Sequence, residues 1–347
     1  MGLEASSRES AETRTRPRVA VVIPCYNGRR FLGVCLRSIG NLRSDPVEVV
    51  VVDDGSTEPI ADVVEASLPT ARYIRQPNQG PGAARNRGLA ETSAPYIRFL
   101  DCDDYFLPTA ALNRQAAILD AWPDIGLIYA QAIKVDRQNR PIGFRRPPFA
   151  AAGYVRSGLE ELGDLLFSNY ITTSGALVRR SVIEAAGGFR TDIIGPEDWD
   201  CWLRIARLSS IAYLAEPVIA YRVHETSITA RYNPEFWLRM HFDILERTFA
   251  DPDIEARYGE VRSAVCGRLY LRAAGLAYAA GDMGVARHYA VRSAAVGRSE
   301  DPGILLSALV VLLRTVLPRP VRWPIRWVHD QVRRRWAQVL YRQAIAR

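Results

Sequence analysis

Residues 47–56 read Val47-Glu48-Val49-Val50-Val51-Val52-Asp53-Asp54-Gly55-Ser56, and this stretch decides the fold. A valine-rich run suits a strand covered on both faces, as in a parallel sheet. The acidic pair and the Gly-Ser that follows end it abruptly. Upstream, Val19 to Pro24 is a second β-branched run, closed by Pro24 and Asn27-Gly28. After it, Phe31, Leu32, Cys35, Leu36 and Ile39 fall at helical spacing. Downstream, the pattern predicts a weaker strand over Arg72 to Arg75, a helix from Gly82 to Glu91 and a strand over Tyr96 to Leu100. That last strand runs into Asp101-Cys102-Asp103-Asp104. Alternation of this kind predicts an α/β fold, a doubly wound and mostly parallel sheet with helices on both faces. In such sheets ligands bind at the carboxyl ends of the strands, where both acidic clusters lie.

Further along, the pattern predicts a helix over Pro108 to Ala121, a strand over Ile125 to Ala132, a helix over Glu197 to Leu208 and a closing strand over Ala212 to Val223. Residues 139–158, rich in Gly, Pro and Arg, are expected to form a mobile loop. From Pro234 onward strand signals vanish, and Arg268 to Val296 reads as a helical hairpin around Gly281-Asp282. The hairpin resembles half of a tetratricopeptide array, but a single copy does not make a repeat protein. The organisation expected is a disordered leader over 1–17, an α/β domain over 18–230, a helical region over 231–300 and a basic amphipathic helical tail over 301–347.

Composition narrows the function. With 48% hydrophobic and 24% charged residues, the 347-residue chain can bury an ordinary core. Its five cysteines are scattered without CxxC spacing, as expected of reduced thiols and not of a disulfide framework or a zinc site. The net charge of +7 belongs to the tail: residues 301–347 carry nine arginines against Asp301 and Asp330, so the rest of the chain sums to zero. No nucleic-acid partner is expected. No apolar stretch reaches the roughly 18 residues of a membrane span, and Met1 to Arg18 lacks the apolar segment of a signal peptide. The expected location is cytoplasmic.

The acidic clusters suggest metal chemistry. Carboxylates at a strand end, in a region poor in His and Cys, suit a hard cation that prefers oxygen and shares its shell with substrate phosphates, so Mg²⁺ or Mn²⁺ is expected. In Asp101-x-Asp103, alternate side chains of an extended segment point the same way and can address one metal. A dinucleotide-binding oxidoreductase is excluded because Cys25-Tyr26-Asn27-Gly28 offers no GxGxxG loop, and Gly80-Pro81-Gly82 has Arg85 where the third glycine belongs.

Four ordered segments carry a resemblance: Val21-Val22-Ile23-Pro24-Cys25-Tyr26-Asn27, Val51-Val52-Asp53-Asp54-Gly55-Ser56-Thr57, Asn78 to Gly88, and Phe99-Leu100-Asp101-Cys102-Asp103-Asp104. Together they resemble family 2 of the inverting nucleotide-sugar glycosyltransferases, which have a GT-A fold. The resemblance runs on through Gly187-Gly188-Phe189 and Glu197-Asp198-Trp199-Asp200-Cys201-Trp202 to Tyr221-Arg222-Val223-His224. It implies a hexosyltransferase-type reaction, in which a sugar passes from a nucleotide diphosphate donor to an acceptor hydroxyl by single displacement. It also implies a role in cell-surface polysaccharide or glycan synthesis.

By the same resemblance, Pro24, Tyr26, Asn27, Asp53, Asp54, Gly80, Arg85 and Asp101 bind the nucleotide. A carboxylate can accept from the imide N–H of uracil or thymine, which favours a UDP- or dTDP-type donor. Asp103 and Asp101 are the expected metal ligands, joined by His224. Asp198 is the expected base, with Glu197 second. Trp199 is expected to give an acceptor sugar a stacking wall, and Arg222 to clamp the diphosphate. The acceptor is expected to be a glycan or a lipid-linked glycan. The alternative is a catalytically degenerate domain serving as a helical scaffold or membrane adaptor.

In the tail, Ile325, Val328, Val332, Trp336 and Val339 step onto one helical face, with Arg326, Arg333, Arg334 and Arg342 largely elsewhere. Such a helix suits an anionic membrane surface, and peripheral association at the inner face of the membrane is expected.

Overall fold

The computed structural model describes residues 17–42, 46–148, 152–225, 233–296 and 302–316. The expected leader lies outside them except for Pro17, as does the tail from residue 317 on, with its Ile325 to Val339 face. The chain divides into two compact units. Among described residues the first comprises 17–161 and 170–223, and the second 162–169 and 224–316.

In the first unit, β1 (Val19–Cys25), β2 (Val47–Asp53), β3 (Arg72–Arg75) and β4 (Tyr96–Phe99) lie side by side in the order β3-β2-β1-β4, all parallel. The valine run of β2 is buried on both sides, as its composition predicts. Val49 and Val51 join Val21, Ile23 and the buried face of α1 (Arg29–Gly40) in one cluster. Val50 and Val52 pack with Ala84 of α3 (Pro81–Ala90) in another. Between them in sequence is α2 (Ala61–Ser67). Gly88 lets α3 close onto the sheet, because a Cβ there would overlap the Val22 side chain.

The sheet continues through β9 (Ala176–Arg179), β6 (Ile125–Val135), β10 (Ser210–Arg222) and β5 (Tyr105–Phe106). Here the pairing is mixed: β6 and β10 are parallel, while β4–β9, β6–β9 and β10–β5 are antiparallel. α4 (Ala111–Ala121) packs on β6. The loop expected over 139–158 is corrected. It contains β7 (Pro141–Arg145), paired with β6, and β8 (Tyr154–Arg156), paired with β10, so backbone pairing orders much of it. α5 (Gly158–Phe167), α6 (Arg180–Ala185) and α7 (Glu197–Ala206) complete the elements up to β10.

The second unit is helical, with α8 (Pro234–Phe249), α9 (Pro252–Tyr258), α10 (Arg262–Ala279), α11 (Met283–Val296) and α12 (Pro302–Val316). The α10–α11 hairpin turns at Gly281, whose φ of 87° suits glycine. Ala273, Ala274 and Ala277 of α10 and Ala286 and Ala290 of α11 are all fully buried, and the two helices pack against each other. Among described residues no helix is long and apolar enough to cross a membrane.

Candidate active site

The carboxyl ends of β1, β2 and β4 open toward one edge of the parallel half, and the N-terminal turn of α3 lies against them. Asn27 joins the first two ends: its backbone N–H donates to Ser56 Oγ at 3.0 Å, and its Oδ1 accepts from Thr57 N at 2.8 Å and Thr57 Oγ1 at 2.9 Å. Asn27 sits at φ 53°, in the left-handed region that asparagine tolerates better than most residues. Pro24 is buried in β1, opposite Val52, whereas Tyr26 is 48% exposed above the strand ends.

Asp53 and Asp54 act within the chain. Asp53 is fully buried and accepts from Ser56 N at 2.8 Å, the Tyr73 hydroxyl at 2.8 Å and Arg75 Nη1 at 2.7 Å. Asp54 accepts from Gln76 Nε2 at 2.8 Å, Gln79 N at 3.0 Å and Gly80 N at 2.8 Å. The first aspartate shapes the turn after β2, and the second holds the loop that starts α3. Gly80, at φ 88°, starts that helix without a Cβ penalty. Tyr73 and Arg75 are partners that sequence reasoning missed.

Arg85 is the hub. Buried to 5% exposure, it donates from Nη2 to Asp101 Oδ1 at 2.8 Å and from Nη1 to Glu197 Oε1 at 2.6 Å. Burial works against its charge, but the two carboxylates outweigh it and hold the guanidinium pKa above the ordinary value. The Arg85 side chain lies over the Phe189 ring at 5.2 Å, and its Nε has no hydrogen-bond partner. Asn86, next to it, brackets the backbone of Phe189, with Nδ2 to Phe189 O at 2.7 Å and Phe189 N to Oδ1 at 2.8 Å.

The acidic residues after β4 divide by environment. Asp101 and Asp103 are half-buried, whereas Asp104 is 1% exposed. Asp104 accepts from Ser174 Oγ at 2.6 Å and Arg222 N at 2.9 Å. Burial raises the Asp101 pKa; Arg85 opposes the rise, and the charges of Asp103 and Asp198 add to it. Burial and then the charges of Asp103 and Asp101 push Asp104 well above the carboxylate range. Asp104 is disfavoured as an anion there, so the half-buried carboxylates of Asp101 and Asp103, beside the single guanidinium of Arg85, are the ones left to meet a cation. Such a donor set, made of hard carboxylate oxygens, fits a divalent cation. Among described residues no three His, Cys, Asp or Glu side chains form a complete metal cage, so further ligands would come from the donor or from water.

Across from this cluster, α7 opens with Glu197 and Asp198. Glu197 is 3% exposed, and its second oxygen accepts from Gly195 N at 2.8 Å. Asp198 is half-buried, with Thr173 Oγ1 donating to Oδ2 at 2.9 Å and Trp199 N to Oδ1 at 2.7 Å. Thr173 and Ser174, in the Thr173–Gly175 turn, touch both acidic groups and carry no sequence motif.

Two expectations are corrected. Trp199 is 2% exposed and lies in the core beside the fully buried Trp202, so it presents no face to an acceptor. Arg222 is 3% exposed. Its Nε donates to Asp103 O at 2.7 Å, its Nη1 engages Asn139, and it lies over Phe31 and Tyr105. It braces the acidic loop from behind, because burial turns the fork inward. His224 is buried in the second unit, 9% exposed.

The Glycosyl transferase family 2 model matches residues 20–186. The chain is 27% identical over 230 residues to EpsH of Bacillus subtilis, which bears the name of a glycosyltransferase; the match takes in 64% of this chain and 65% of that one, so the chain spans just under two thirds of that relative. Staphylococcus aureus TarS 1–349, solved with UDP-GlcNAc, superposes at TM-score 0.63 with 18% identity, covering 94% of this chain and 92% of that chain. The mannosyltransferase PcManGT of Pyrobaculum calidifontis, solved with GDP-Man and Mn²⁺, superposes at TM-score 0.53 with 20% identity over 95% of this chain and 87% of its own. The parallel half with its acidic strand ends, the mixed half beside it and the match over residues 20–186 together identify a Glycosyl transferase family 2 domain in this chain, with a GT-A fold.

Proposed function

We propose that the protein is an inverting transferase that moves a sugar from a nucleotide diphosphate sugar to an acceptor hydroxyl. One observation carries this reading: Arg85 draws Asp101, at the end of β4, and Glu197, at the start of α7, onto a single guanidinium, which brings the half-buried Asp198 beside the acidic strand ends. A donor site and a base must lie on opposite sides of the reacting carbon, and these two groups of carboxylates come from different elements.

In this reading the base and ribose rest near Tyr26 and Asn27, with Asp53 and Asp54 acting through the Ser56 turn and the Gly80 backbone. Asp101 and Asp103 would hold Mn²⁺ or Mg²⁺, which when bound offsets charge on the departing diphosphate. Asp198 takes the proton of the acceptor hydroxyl as it attacks C1, and Glu197 keeps α7 in register through Arg85 and Gly195. Inversion follows from one displacement. That solved relatives of this fold carry UDP-GlcNAc or GDP-Man with Mn²⁺ supports a nucleotide-sugar donor; a UDP or dTDP type remains the proposed nucleotide by the sequence resemblance, since Asp53 and Asp54 are engaged within the chain. The proposed acceptor is a glycan or lipid-linked glycan, with the product serving in surface polysaccharide synthesis. The basic, tryptophan-bearing tail supports contact with an anionic membrane surface.

Calorimetric titration with UDP and Mn²⁺, paired with a screen of nucleotide sugars for turnover, tests the reading. UDP binding lost in Asp103→Ala is expected, together with Asp198→Asn that binds UDP normally and transfers about 10² slower or worse. Absence of binding to any nucleotide diphosphate would refute it.

A further inference from the structure

We infer that Thr173 is a positioning residue for Asp198, and that the Thr173–Gly175 turn sets the separation between the base and the donor-side aspartates. The inference rests on reading Asp198 as the base. Two consecutive hydroxyls of this turn address two different acidic elements. Thr173 Oγ1 donates to Asp198 Oδ2 at 2.9 Å, while Ser174 Oγ accepts from Asp101 N at 3.1 Å and donates to Asp104 Oδ2 at 2.6 Å.

The turn itself is held firmly. Thr173 is 5% exposed and Ser174 fully buried. The Ser174 carbonyl accepts from Arg98 Nη1 at 2.8 Å, the Gly175 carbonyl from Gln115 Nε2 at 3.3 Å, and Gly175 N donates to Thr172 O at 2.9 Å. Arg98 and Gln115 are both fully buried, so the anchor is part of the core of the sheet. A single tight turn leaves little freedom in the spacing of adjacent hydroxyls, and a β-branched threonine adds a stiff χ1.

The donors to Asp198 are unequal. Trp199 N is the next residue in the chain and moves with α7. Thr173 comes from another element, 25 residues away, and ties the carboxylate to the frame that holds Asp101 and Asp104. Misplacement of a reacting group by about 1 Å can cost on the order of 10² in rate. Arg85 couples the same two elements by charge, while this turn couples them by directional hydrogen bonds that fix the carboxylate itself.

Thr173→Val keeps the shape and removes the hydroxyl. With UDP-GlcNAc, UDP-glucose, dTDP-glucose and GDP-mannose as a mixed probe and nucleotide diphosphate release as the signal, kcat is expected to fall about 10- to 100-fold with KM within about twofold. Thr173→Ser restores most of the lost rate, and Thr173→Val adds no further loss in an Asp198→Asn background. A Thr173→Val enzyme with undiminished kcat, a loss confined to KM, or a Thr173→Ser as slow as the valine variant overturns the inference. Crystals of Thr173→Ala give a readout independent of any donor: an Asp198 carboxylate in its original rotamer also overturns it. Full turnover by Asp198→Asn would sink the base assignment, whereas an inactive Asp198→Asn beside a fully active Thr173→Val sinks only the role of Thr173.

Discussion

The Arg85 guanidinium lies 2.6 Å from a Glu197 oxygen although 112 residues separate the two in the chain. Glu197 is thereby committed to a brace, with Arg85 on one oxygen and Gly195 N on the other, and Asp198 beside it stays half-buried. Burial of both partners makes the pair sensitive to any change that leaves one charge unmatched.

Arg85→Lys is therefore expected to behave as a severe substitution, because an ammonium lacks the fork that spans two carboxylates. Turnover should drop by about 10² or more. Arg85→Met leaves Asp101 and Glu197 facing each other uncompensated and should lower stability by about 3–5 kcal/mol, read by urea unfolding. Wild-type stability in Arg85→Met would show that the bridge is dispensable.

Trp199→Ala separates core from acceptor site. A buried tryptophan truncated to alanine costs about 3–5 kcal/mol, so the melting temperature should fall sharply. Trp199→Phe, which retains most of the ring volume, should keep turnover and acceptor KM close to the parent. A large rise in acceptor KM for the phenylalanine variant at unchanged stability would restore a contact with sugar.

Chelation with EDTA is expected to abolish turnover, and added Mn²⁺ or Mg²⁺ to restore it, since the half-buried carboxylates of Asp101 and Asp103 suit an oxygen-seeking cation. Undiminished activity after exhaustive chelation would assign the carboxylates a structural role.

Acid should weaken the helical unit through His241. Burial lowers its pKa to about 3, with the Trp237 carbonyl opposing and Arg272 adding to the depression; its ring stacks on Trp237 at 3.7 Å. Below an ordinary histidine pKa of about 6.5 the unfolded chain takes up a proton that the folded chain refuses. Stability should thus decline as pH falls from about 6.5 toward 3, by at most about 1.4 kcal/mol per unit from this group. His241→Phe should flatten that slope in denaturant titrations; an unchanged slope would acquit His241.

Long-range polar pairing accounts for most of what sequence reasoning did not reach. Tyr129, Tyr154 and Tyr170 all direct hydroxyls at the fully buried Glu161, and no periodicity announces such a cluster. The short strands β5, β7 and β8 were equally silent, because two to five residues carry too little alternation to stand out.

The valine runs, the turns at Asn27 and Gly55 and the aspartates at strand ends were legible in the sequence alone, since each depends on neighbours a few residues away. They determined the parallel half of the sheet and the edge at which the acidic strand ends gather. Which carboxylate is locked into a buried bridge and which stays half-buried was decided by tertiary packing. Glu197 and Asp198 are adjacent and chemically alike, yet Arg85 claims one and Thr173 orients the other. Trp199 and Arg222 were turned inward for the same reason: exposure depends on what packs against a residue, and that is a property of the assembled chain.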